Sequence, residues 1–83
     1  MSKSIFEIAQ EKIAKVSRQR AEILENIRRV EGVMDGLPKE ASQEYEYALQ
    51  SLLEAREVLE AVDELLEQYQ RLSDLLRPAV EEQ

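Results

Sequence analysis

Cysteine and histidine are both missing from this 83-residue chain, and tryptophan with them. Without Cys there is no disulfide, no thiolate nucleophile and no soft metal ligand. Without His, the commonest neutral metal ligand and proton shuttle is gone as well. No metal site and no cofactor are expected. No apolar run exceeds a few residues, so no segment is expected to span a membrane. Met1-Ser2-Lys3-Ser4 lacks the apolar stretch of a signal peptide. Together with the missing Cys, which suits a reducing compartment, these absences lead to the expectation of a cytoplasmic protein. The sequence also holds no Gly-rich phosphate loop, no Ser/His/Asp set and no nucleophile beside a base, so enzyme activity is not expected.

What is present is periodicity. Phe6, Ala9, Ile13, Val16, Arg20, Ile23, Ile27, Val30, Met34 and Leu37 follow one another at alternating steps of three and four. The same alternation runs through Ala41, Tyr45, Ala48, Leu52, Ala55, Leu59, Val62, Leu66, Tyr69, Ser73, Leu76 and Val80. A period of 3.5 kept up this long marks a coiled-coil seam, because it holds one narrow apolar face toward a partner helix. The fold class is therefore all-α, an antiparallel two-helix coiled-coil hairpin forming a single domain over residues 1–83.

The boundaries follow from capping chemistry. Ser4, with Glu7 three residues on, reads as an N-cap, so the first helix spans about 4–35. Gly36 can take a left-handed C-terminal conformation, and Pro38 suits the first turn of a new helix. The turn is then 36–38 and the second helix about 38–77, where Pro78 discourages helix in the residue before it. Residues 78–83 are expected to fray. A turn centred near Gly36 sets residue i opposite roughly 73 − i, bringing Gly32 close to Ala41. It also leaves everything beyond about Gln70 overhanging the first helix. One two-helix seam is a small core for a chain of this length, so assembly into a four-helix bundle or larger helical oligomer is expected, a homodimer being the simplest.

The net charge of −7 is unevenly spread. Through Asp35 there are seven basic against six acidic residues, whereas from Gly36 onward there are four against twelve. Bulk nucleic-acid binding needs a clustered basic surface and is disfavoured. Lys12, Lys15, Arg18, Arg28 and Arg29 keep one alternative open, an RNA-binding four-helix-bundle dimer using the first helix. No exposed aromatic is interleaved with them to stack on bases.

Several residues fall outside a minimal seam. Val58, Leu65 and Leu72 each precede a seam position and widen the second helix's stripe to three apolar residues per heptad, more than a lone hairpin needs. With Ile5, Phe6, Ile8, Leu75 and Leu76 at the open end, they form the expected interface for another copy or a helical partner. Ala14, Ser17, Ala21 and Leu24 form a shallow second row on the first helix, a possible further docking face. Arg20 is the one charge inside a seam, a register selector expected to meet Glu54, Glu57 or a carboxylate of another subunit. Glu57, Glu60, Glu64 and Glu67 line the outer face of the second helix and read as a solvated back. The expected function is that of a non-enzymatic interaction module, whether adaptor, assembly chaperone or structural subunit.

Overall fold

The computed structural model describes residues 2–40 and 43–77 and contains two long helices, α1 (Ile5–Asp35) and α2 (Gln43–Leu76). They lie side by side as an antiparallel hairpin with overall extents of 62 × 21 × 20 Å. Among the described residues there is no strand and no helix long and apolar enough to cross a membrane.

α1 begins where the sequence places its cap. Ser4 is extended, and its Oγ accepts from the Glu7 backbone N–H at 3.1 Å, satisfying one of the helix's orphan donors. The other end differs from expectation. Gly36 sits at φ −93°, ψ −1°, a right-handed conformation, with its N–H donating to Val33 O and the Leu37 N–H to Met34 O. The helix thus tightens into a final three-residue turn, and the left-handed freedom of glycine goes unused.

The second helix starts at Gln43, not Pro38, and residues 36–40 are non-helical. Placing Pro38 in the first turn would have made Leu37 the N-cap, and Leu has no side-chain acceptor for the free N–H groups. Leu37 instead stays half-buried as the last layer of the first seam. Acidic Glu44 and Glu46 occupy the first turn of α2, where the positive end of the helix dipole favours them.

The later start moves the register. Gln10 Nε2 donates to Ser73 Oγ, Arg20 Nε donates to Asp63 Oδ1, and Arg56 Nη2 donates to Glu31 Oε2. Residue i therefore faces a position about ten residues further along than 73 − i, because the longer connection carries α2 further before it turns back. Two expectations fall with this. The segment beyond Gln70 does not overhang: Ser73 is only 3% exposed, buried against α1. Nor does Gly32 serve a close approach beside the turn, since a Cβ added there meets nothing within 4 Å among the described residues. Ala41, Val80 and the 78–83 tail lie outside the described residues.

The seam itself forms as the spacing dictates. Each of the ten seam positions of the first run is buried or half-buried, and so is each described seam position of the second, Tyr45 through Leu76. The deepest are Ala9, Val16, Ile27, Ala48, Leu52 and Ser73. No large side chain is completely enclosed, as expected when two cylinders touch along a single line. Accessible surface totals 6724 Å², against about 5100 Å² for a compact monomer of this mass. The hairpin is an open shape.

Candidate functional site

An antiparallel hairpin has two flanks, one on each side of the plane through both helix axes, and here they differ. On the first flank, which follows Gln10, Ser17, Leu24 and Glu31 of α1, the polar contacts between the helices gather. Arg20 reaches Asp63 at 2.5 Å and Arg56 reaches Glu31 at 3.1 Å, both pairs partly exposed. Ala14, Ser17 and Ala21 are exposed on this side and Leu24 is half-buried. The shallow row of small residues therefore exists, but it adjoins an ion-paired margin.

Arg20 finds its carboxylate within its own chain, and that partner is Asp63, not Glu54 or Glu57. The shifted register explains the change, since Asp63 is now the acid level with Arg20. The guanidinium remains partly exposed, its stem in the seam and its head at the margin.

The second flank is apolar on α2. Val58, Leu65 and Leu72 are all exposed here, as the widened stripe required. They belong to a longer row: Tyr47, Ser51, Glu54, Val58, Ala61, Leu65, Gln68, Leu72 and Leu75 alternate steps of four and three. This is a second coiled-coil line about 100° around the helix from the seam, each member one residue before a seam position. Only Glu54 in it is charged. Tyr47 and Leu75, at its two ends, are 77% and 84% exposed. The charged residues Glu57, Glu60, Glu64 and Glu67 lie on the opposite, solvated back of the helix, where Glu67 pairs with Arg71.

α1 contributes the other half of this flank. Ile5 and Ile8 stand exposed at its open end and Val33 near the turn, with Lys12, Lys15, Gln19, Glu22, Asn26 and Arg29 between them. At the turn end the flank deepens into a cavity of about 700 Å³. Val30, Val33, Leu37, Tyr47 and Ala48 line it, with Arg29 and Glu44 at its edge. So the flank carries apolar clusters at both ends and, on α2, an apolar line joining them.

The expected interface residues thus divide. Ile5, Ile8, Val58, Leu65, Leu72 and Leu75 are exposed on or next to this flank. Phe6 and Leu76 are half-buried seam residues that close the hairpin's own open end. A three-residue turn would leave Leu76 without a helix opposite, and the longer connection brings it level with the start of α1. The sequence reading missed the turn-end cavity and Tyr47, Ser51 and Ala61 as members of the row. The signal was available in the steps of four and three from Tyr47 to Leu75, interrupted only by Glu54 and Gln68.

Among the described residues no group of His, Cys, Asp or Glu is arranged to hold a metal ion. Lys3, exposed at the start of α1, pairs with Glu11, whose hydrogen bond and negative charge hold its ammonium above the ordinary lysine pKa. This contact is present at neutral pH, and the lysine's share of it is lost as pH rises through the raised lysine pKa. A search of protein-family models, of curated proteins and of solved structures found no match to the chain.

Proposed function

We propose that the protein is a non-enzymatic protein–protein interaction module, and that its working surface is the apolar flank of α2. One observation carries the reading: a second heptad row, Tyr47 to Leu75, left open to solvent beside a seam that is already satisfied. A helix with one coiled-coil line needs one neighbour, and a helix with two needs two. The neighbour would be a helix lying along the groove between α1 and α2, anchored at the turn-end cavity and at Ile8 and Leu75. Adaptor, assembly chaperone and structural subunit all use such a surface.

The alternative of RNA binding along α1 has less support. Lys12, Lys15, Arg18, Arg28 and Arg29 spread over most of the outer circumference of the helix, with Glu11, Glu22 and Glu25 between them. Arg28 is also within 3.9 Å of Glu25. A phosphate backbone would meet a mixed field instead of a stripe.

Amine-reactive cross-linking in native extract, read by mass spectrometry, tests the reading. Lys12 and Lys15 lie on the apolar flank and Lys3 on the other side of α1, so intermolecular cross-links should concentrate at Lys12 and Lys15. Links distributed evenly over Lys3, Lys12, Lys15 and Lys39, or none at all, would remove the flank as the working surface.

A further inference from the structure

Building on the reading of this flank as a binding surface, we infer that its occupant is a second copy of the same chain. The two hairpins pack with both turns at the same end, α1 of each covering the α2 row of the other.

Surface area motivates the stoichiometry. The chain exposes about 1600 Å² more than a compact monomer of its mass. A standard interface buries roughly 800 Å² on each partner. Ile5, Ile8, Tyr47, Leu65, Leu72 and Leu75 are exposed apolar groups that a neighbour on this flank would cover. A single added helix would cover one groove and leave its own back exposed. A second hairpin covers the open flank of each copy at once and closes a four-helix bundle.

Charge selects the arrangement. A two-fold axis parallel to the helices sets α1 of one copy against α2 of the other at the same level as within the chain, residue i near 83 − i. Arg29 then lies across from the partner's Glu54, both of them in rows that face this flank. Symmetry repeats the pair.

The opposite arrangement, with turns at opposite ends, is worse in charge. It lays α2, with nine acidic residues against two basic, along its own copy. Lys15 would face the partner's Arg29. Such contacts sit at the rim and contribute little affinity, but they decide between otherwise similar apolar packings. The same-end arrangement also brings the two turn-end cavities together, with the exposed Tyr47 that lines each of them at the contact.

The missing cysteines make the test clean. Sedimentation equilibrium of the full chain should give twice the 9.6 kDa chain mass. A spin label at Lys39→Cys, in the exposed turn, should report an intermolecular distance of about 20–30 Å, the width of a four-helix bundle plus linkers. With the turns at opposite ends the labels would stand apart by nearly the 62 Å length of the hairpin, and that result would overturn the arrangement. Arg29→Glu should weaken dimerisation about tenfold, since two attractions become two repulsions, and adding Glu54→Arg should restore it. Failure of that rescue, with helicity unchanged by circular dichroism, would also count against the pairing. A monomer at about 100 μM would overturn the homodimer. If that monomer still yields cross-links to a different chain at Lys12 and Lys15, the binding surface stands and only its occupant is wrong. If it yields none, both readings fail.

Discussion

The two flanks of this hairpin are built from the same helices, yet they solve different problems. One is finished. Arg20–Asp63, Arg56–Glu31 and the Gln10–Ser73 hydrogen bond stitch α1 to α2 along it, and apart from Leu24, Leu49 and Leu53 its remaining positions are small or polar. The other is left open, with Val58, Leu65, Leu72, Tyr47 and Leu75 exposed along α2 and a cavity at the turn end. Directional polar contacts between helices fix how two helices sit. Undirected apolar surface holds whatever shape fits it. The difference assigns register to one side and binding to the other.

The largest way to break this division is to put a charge on each flank. Leu65→Glu should raise the dissociation constant of any assembly more than a hundredfold, since a buried unpaired carboxylate costs several kcal/mol. The hairpin should keep its helicity, because Leu65 is outside the seam and 40% exposed. Ala21→Glu, on the finished flank, should change that constant less than about threefold. Mass by light scattering over a dilution series and circular dichroism measure both. Equal effects of the two substitutions would erase the distinction between the flanks.

A smaller effect is expected at the ion pair. Arg20→Leu and Asp63→Ala should each cost about 1 kcal/mol in urea unfolding, discounted because both side chains are partly exposed. The double-mutant cycle should leave a coupling of roughly 0.5–1 kcal/mol. If Arg20 also opposes other registers, Arg20→Leu should broaden the distribution of assembled masses. A uniquely sized, equally stable variant would remove that role.

The smallest expected effect calibrates the others. Gly32 lies on the outer ridge of α1, away from both flanks, with open space where a Cβ would go. Gly32→Ala should therefore raise stability by roughly 0.5–1 kcal/mol through backbone entropy alone, with no change in assembly. A loss of stability in thermal melts would reveal a packing role that the hairpin by itself does not have.

The sequence carried some of this plainly. The 3.5-residue period named every seam position among the described residues, and Ser4 followed by Glu7 fixed where α1 begins. Register was harder to read. A heptad stripe looks much the same after α2 slides along α1, so periodicity says which faces meet but not which residues. Connection length decides it, and that turned on whether Pro38 opens the helix or sits in the turn. On the open flank, Val58, Leu65 and Leu72 stood out because they recur every seventh residue. Tyr47, Ser51 and Ala61 did not show as members of that row, because Glu54 and Gln68 interrupt it.

The hydrogen bond between Gln10 and Ser73 has a consequence for how the hairpin comes apart. It places the one buried polar layer of the seam just inside the open end, with Phe6 and Leu76 beyond it. Opening from that end must first release an apolar latch, after which the next layer resists through one hydrogen bond that water can replace. The rows from Val16 to Leu66 then hold by apolar contact, with the Arg20–Asp63 and Arg56–Glu31 pairs at their margin. Amide exchange should therefore divide α2 near Ser73 into a short, fast-exchanging end and a long body that opens as one unit. The hairpin is a zipper whose first tooth is easy and whose second is already loosened.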